Sequence, residues 1–234
     1  MSVLHNRHIF SYVNGRVLCQ VETQEKRLAL TFDDGPHPTH TPELLDMLDR
    51  KGIRATFFVV GRRVRRFPHI VKRIAQEGHE VGNHTYHHVP LPILPSFLIR
   101  RQLAETEALI TRATGRRTRF MRPPVGWFTP RVLKVARAMG YEPVIGTVHP
   151  GDSRRPGENA IVERVRQRIQ PGAIIILHDG GWRVTADRSG TVGAVDRLTD
   201  ELLDQGYRFE TLSELSEHPL GSCAAMHTSI QAAD

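Results

Sequence analysis

Between residues 27 and 212, short apolar runs alternate with amphipathic stretches, and this alternation restricts the chain to a parallel α/β architecture. Seven runs read as strands: residues 28–32, 55–60, 79–82, 119–122, 143–148, 173–177 and 207–212. The unbroken apolar run 173–177 suits a central strand covered on both faces. Pro143 belongs at the start of its strand, because it has no N–H to give a neighbour. Between the strands lie helix signals. Thr41, Ser96 and Thr129 read as N-caps, Pro42, Pro68 and Pro130 as first-turn residues, and Gly52, Gly78, Gly115, Gly140 and Gly206 as stops. The expected fold is a single distorted (β/α) barrel of about seven parallel strands over residues 27–215. Residues 1–26 read as an N-terminal extension and 216–234, small and polar, as a loosely ordered tail.

Such a barrel needs a large core, and 39% hydrophobic residues in 234 supply one. The net charge of +7 points to an anionic partner without choosing which. Cys19 and Cys223 match no metal or redox spacing and read as two ordinary thiols. The first fifteen residues hold no apolar run of signal-peptide type, and no stretch is long enough to span a bilayer. With Met1 as the natural start, the expectation is a cytoplasmic protein with peripheral contact at a membrane.

The polar residues of interest fall where the strands end. Asp33 and Asp34 follow the first, His84 and His88 the third, Arg122 closes the fourth, Asp152 lies just past the fifth, and His178 closes the sixth. In a barrel these ends share one face, the usual place for chemistry. His84 and His88 are four residues apart, so on a helical turn both imidazoles reach one ion. Asp33-Asp34 offers a carboxylate to complete the set, and a cation would let both neighbours stay ionised. Each motif alone has a bland reading: Asp-Asp-Gly as a turn, His-x-x-x-His as chance among 13 histidines. Their placement after strands favours a metal. His87 competes at three residues' spacing and ranks below His88; His37 and His40 read as loop residues.

In order, Thr31-Phe32-Asp33-Asp34-Gly35, His84-Thr85-x-x-His88, Arg122-Pro123-Pro124-x-Gly126, Asp152 and Ile176-Leu177-His178 resemble the five motifs of the polysaccharide deacetylases, carbohydrate esterase family 4. The resemblance implies a distorted barrel that hydrolyses acetyl groups from N-acylated glycans or lipid-linked amino sugars. It implies Asp34, His84 and His88 as ligands of a divalent metal, Zn²⁺ first, with Co²⁺, Ni²⁺ or Mn²⁺ as substitutes. Asp33 would be the general base, oriented by Arg122, and His178 the general acid, tuned by Asp152. Val125 would present its backbone N–H to the oxyanion, and Ile176, Ser153 and Trp127 would border the acyl group. Two positions depart from the pattern: Val125 replaces an aromatic residue, and Ser153 a tryptophan that walls the acetyl pocket.

Arg62 and Arg63, in the Arg-rich stretch after the second strand, are candidates for an anionic substrate group, against the plainer reading of a solvated loop. Residues 187–189 lie in the long stretch after His178, a candidate lid. Residues 89–99 hold three prolines and several large apolar side chains, Leu91, Ile93, Leu94, Phe97 and Leu98 among them, directly after the metal motif. They are a candidate membrane-surface contact, with packing against the barrel as the alternative. Two rival functions remain: a non-catalytic glycan- or lipid-binding relative, and a metal-dependent phosphoesterase. Only 6% aromatic content argues against nucleic acid.

Overall fold

The computed structural model describes residues 17–217 and 220–221, and its strands form the expected barrel. The strands are β1 Gln20–Val21, β2 Arg27–Gly35, β3 Thr56–Val59, β4 Glu80–Asn83, β5 Phe120–Met121, β6 Glu142–Pro143, β7 Ile174–His178, β8 Arg208–Glu210 and β9 Leu220–Gly221. Seven of them form one parallel sheet in the order β6-β5-β4-β3-β2-β7, with β8 alongside the first residues of β2. β1 pairs antiparallel with β9. The helices are α1 His40–Arg50, α2 Gly61–Arg66, α3 Pro68–Gln76, α4 Ser96–Thr114, α5 Pro130–Ala138, α6 Glu158–Arg166, α7 Ser189–Asp204 and α8 Leu212–Leu215.

Strand alternation sorts the core. Leu28, Leu30, Phe32, Ile175 and Leu177 face outward into a cluster with Leu44, Leu45, Leu48, Val195 and Leu198 from α1 and α7. Ala29 and Ile174 face the other way, into a cluster with Phe58, Phe120 and Val144 inside the barrel. Each fully buried leucine or phenylalanine here contributes roughly 1.5–3 kcal/mol relative to exposure. A third cluster, holding Leu91, Ile99, Leu103, Met121, Phe128 and Val132, packs α4 and α5 against the wall.

Several local expectations are corrected. The strand expected at 143–148 shrinks to β6 and two isolated bridges, Leu18 to Val144 and Val148 to Ile175, which close the barrel. Of residues 17–21, placed in the expected N-terminal extension, Leu18 bridges to the barrel at Val144, and Val17, Leu18, Cys19 and Val21 are buried. Cys19 is disulfide-bonded and not an ordinary thiol; the other cysteine of the sequence, Cys223, lies outside the described residues, as does most of the expected tail. Thr41 does not cap α1. The cap position is Thr39, without a side-chain bond, and the Thr41 hydroxyl instead accepts the His37 N–H and donates to Asp179. Ser96 is the first residue of α4, after Pro95. Thr129 does cap α5, accepting the Val132 N–H. The arginine-rich stretch after β3 is helix α2 and not a loop. No helix among the described residues is long and apolar enough to cross a membrane.

Candidate metal centre and acid–base pair

β2 and β7 run in register with Ala29 opposite Ile174, Thr31 opposite Ile176 and Asp33 opposite His178. Because every second residue faces inward, Asp33 and His178 stand side by side at the top of the lumen. The β2–β3 register then breaks: Asp33 faces Phe58 and Gly35 faces Val59, which leaves Asp34 as a bulge with φ of 73°. The bulge turns the two adjacent carboxylates toward different partners.

Asp33 Oδ1 accepts Arg122 Nη1 at 2.6 Å. The guanidinium is fully buried over the Phe58 ring, 4.2 Å from its centroid, and also donates to Thr31 Oγ1 at 2.9 Å and to the Ile145 carbonyl at 3.0 Å. A cation so deep needs such partners to be tolerated. Burial pulls the Arg122 pKa down from its ordinary value, against the pull of Asp33.

Asp34 turns toward the loop after β4. Its Oδ1 lies 2.8 Å from His88 Nε2 and 3.5 Å from His84 Nε2. One ligand atom from each of Asp34, His84 and His88 lies within 4.8 Å of the others. His84 Nδ1 is 2.8 Å from the Arg122 carbonyl, which makes Nδ1 the donor and leaves Nε2 free to face Asp34. Burial opposes the charge on Asp34, yet the two imidazoles hold its carboxyl well below the usual range. Residues 84–88 are not the expected helical turn. Thr85 and His88 take left-handed φ of 67° and 57°, and Asn83 Oδ1 accepts the Thr85 N–H at 2.9 Å. The loop, not helical periodicity, brings the rings together. Two imidazoles and one carboxylate on a largely buried spot fit a divalent cation such as zinc.

Asp152 is buried. It accepts the His178 backbone N–H at 2.8 Å, faces His178 Nδ1 at 2.8 Å, and accepts Thr191 Oγ1 at 3.1 Å. Burial disfavours charge on the imidazole, but Asp152, with Asp34 and Asp33 beyond it, raises its pKa to about 9.

The remaining candidates divide. Ile176 is buried; Val125 is 70% exposed with φ of 55°, unusual for a β-branched residue, and Trp127 and Ser153 are exposed. Arg62 is exposed on α2, whereas Arg63 is buried and donates to the Gly181 carbonyl, so a substrate anion can reach only the first. His87 faces Gln102, 2.9 Å from its side chain, and is absent from the ligand cluster. His37 and His40 stack on each other at 4.6 Å under the loop after β7. Arg188 fastens that loop, donating to the carbonyls of Gly180, Asp152 and Ser153. Sequence reasoning missed Asp179, buried beside Thr41 and raised by that burial to about 7. Its place next to His178 was the available signal. It also missed Trp182, 70% exposed and close to His88.

A barrel that brings a two-histidine, one-carboxylate cluster beside Asp33 and His178 is an arrangement suited to hydrolytic chemistry. Residues 20–144 match the sequence profile of the family described as Polysaccharide deacetylase, and the chain belongs to this family. It is 40% identical to a peptidoglycan-N-acetylglucosamine deacetylase of Bacillus cereus over 86% of this chain and 93% of the relative. It is 38% identical to a chitooligosaccharide deacetylase of Sinorhizobium fredii, over 79% of this chain and 89% of that one. A solved peptidoglycan N-acetylglucosamine deacetylase superposes with a TM-score of 0.80 at 34% identity, covering 84% of this chain and 91% of the other. A family pseudoenzyme from Bacillus anthracis superposes at 0.78 with 31% identity, covering 87% and 70%. Membership alone therefore does not carry activity; the site must.

Proposed function

We propose that this protein hydrolyses the N-acetyl group of an amino-sugar unit in a glycan, with a divalent metal held by Asp34, His84 and His88. The observation that carries the reading is the register of Asp33 opposite His178, one residue from the ligand cluster. Relatives that act on peptidoglycan and chitooligosaccharides support the substrate class. Bound at the three ligands, a Lewis-acidic ion would polarise the amide carbonyl and acidify water.

The chain's own residues supply the proton traffic. Asp33, fixed by Arg122, takes the proton from the attacking water. His178, kept protonated by Asp152, returns one to the departing amine nitrogen. Amide hydrolysis stalls without that step, because an amide anion leaves poorly. The Val125 N–H would face the developing oxyanion, and Ile176, Trp127 and Ser153 would border the acyl group. An acetate-release assay on chitooligosaccharides and peptidoglycan, run as prepared, after chelation and after zinc return, tests the reading. Loss and recovery of acetate release are expected. Absence of acetate release with phosphate release from a simple phosphoester would transfer the site to the phosphoesterase class, and glycan binding without turnover to the non-catalytic one.

A second reading concerns location. Ile93, in the short turn before α4, and Phe97, in the first turn of α4, are each 68% exposed, and Arg100 and Arg101 further along the helix are exposed too. Apolar side chains rimmed by cations suit an anionic bilayer surface, where the enzyme would meet a lipid-linked substrate. The disulfide at Cys19 favours an oxidising compartment over the cytoplasm expected from the sequence.

A further inference from the structure

Trp182 has no part in the chemistry above, yet it stands beside it. It lies between β7 and α7, 70% exposed, its ring centroid 6.4 Å from that of His88 in an edge-on arrangement of 78°. Its position is built. Arg62 Nη2 donates to the Trp182 carbonyl at 3.3 Å, and the guanidinium carbon sits 6.0 Å from the indole centroid. Helix α2, which carries Arg62, is tied to the ligand loop by Gly61 N–H to the Thr85 carbonyl at 2.9 Å and Arg62 N–H to the Tyr86 carbonyl at 3.1 Å. The root of the Trp182 loop is held too, by Arg63 on the Gly181 carbonyl and Arg188 on that of Gly180.

An indole left this open to water forgoes the burial that usually stabilises a tryptophan. A flat apolar face fixed at the edge of a polar hydrolytic site fits a ligand with one apolar face and a polar rim. A pyranose ring is such a ligand: its axial C–H bonds present an apolar face, while its hydroxyls stay at the edge for water. The neighbouring exposed guanidinium adds a planar donor for a carboxylate.

We propose that Trp182 and Arg62 form a sugar-binding subsite on the metal-ligand side of the cleft. Trp182 stacks on the pyranose unit adjoining the one that loses its acetyl group, and Arg62 binds a carboxylate carried by that part of the glycan. The proposal rests on the deacetylase reading and specifies which part of the chain recognises substrate length and charge.

The test compares penta-N-acetylchitopentaose with the monosaccharide N-acetylglucosamine, which has no adjoining unit, on the zinc-loaded enzyme. In Trp182→Ala, KM for the pentasaccharide should rise about tenfold, the equivalent of ~1.4 kcal/mol, while kcat and the monosaccharide KM stay within about twofold. Trp182→Phe, which keeps a ring, should recover part of the loss. Arg62→Gln should raise KM more for a peptidoglycan fragment bearing lactyl carboxylates than for the neutral chitopentaose. Quenching of tryptophan emission by chitopentaose in Asp33→Asn with Trp127→Phe, absent once Trp182→Ala is added, reads binding without turnover. It therefore separates failure of the subsite from failure of the deacetylase reading. An unchanged pentasaccharide KM in Trp182→Ala, or an equal fall in kcat on both substrates, overturns the Trp182 assignment. Equal changes on neutral and carboxylated glycans in Arg62→Gln overturn the Arg62 assignment.

Discussion

Asp152 holds His178 at two points, the ring Nδ1 and the backbone N–H, each at 2.8 Å. A single carboxylate thus fixes both the orientation and the protonation of the group opposite Asp33. Burial works against the imidazolium, and Asp152 leads the charges that lift it to about 9. A general acid works while protonated, so turnover should hold below that value and fall above it. Asp152→Asn keeps an acceptor and removes the charge, and should move the alkaline fall in kcat to lower pH. A fall that stays in place would remove His178 as the acid. The same shift bears on folding: stability from the pair is fully present below the unfolded histidine value of about 6.5 and is lost as pH rises through about 9.

The division of Asp33 from Asp34 gives a second expectation. Asp33→Asn should lower kcat by roughly 10²-fold or more while metal content, measured by plasma emission, stays unchanged. Asp34→Asn should lower metal content. Loss of metal in the Asp33 variant would show that the two carboxylates share the ion.

Ser153 is exposed beside Asp152, where a tryptophan wall would close the acyl pocket. The protein should therefore accept N-propionyl substrates, and Ser153→Trp should restrict it to acetyl. A discrimination against propionyl of more than about tenfold in the unaltered protein, near what one methylene supplies, would mean that another side chain fills the space.

His79 lies at the mouth of β4, accepting the Ala55 N–H through Nδ1 at 3.1 Å. Burial drives its pKa down to about 4. The unfolded chain takes up a proton near pH 6.5, and the folded one does so only near 4, so stability should fall as pH falls between these values and level off below. The loss is of order 3 kcal/mol. His79→Asn keeps an acceptor without a proton, and its urea midpoint should fall less between pH 7 and 4.5. Equal slopes would place the titration elsewhere.

The bilayer contact at α4 is tested on Ile93 and Phe97, because Leu91 is buried and its replacement would damage the core. Co-sedimentation with anionic vesicles should drop in Ile93→Ser with Phe97→Ser, while melting temperature holds. No pelleting in either form would leave that surface to glycan or solvent.

The strand order and the strand-end placement of Asp33, His84, Arg122 and His178 were legible because alternation and residue type are local properties. Thr129-Pro130 was legible for the same reason, a cap and its turn being neighbours in sequence. The misread positions depend on distant partners. Thr41 looks like a cap, but 138 residues along the chain Asp179 claims its hydroxyl. The pair His84 and His88 has helical spacing, but Asn83 and two left-handed residues bend the backbone another way. Trp182 carries no motif, and its place beside His88 depends on a loop anchored by arginines from elsewhere in the chain.

All five non-glycine residues with left-handed φ among those described, Asp34, Thr85, His88, Val125 and Arg155, lie in the site or its bordering loops. Strain of this kind costs of order 1–3 kcal/mol each and persists only where the surroundings enforce it. The segment that precedes β2 braces the same site. Leu18 accepts the Ile145 N–H and donates to the Pro143 carbonyl, and the Ile145 carbonyl in turn receives Arg122, which holds Asp33. A chain begun at Arg27, where the first motif strand starts, would remove one stave of the cask. The hoop would slacken at β6, and the carboxylate of Asp33 would lose its footing without any residue of the five motifs having been touched.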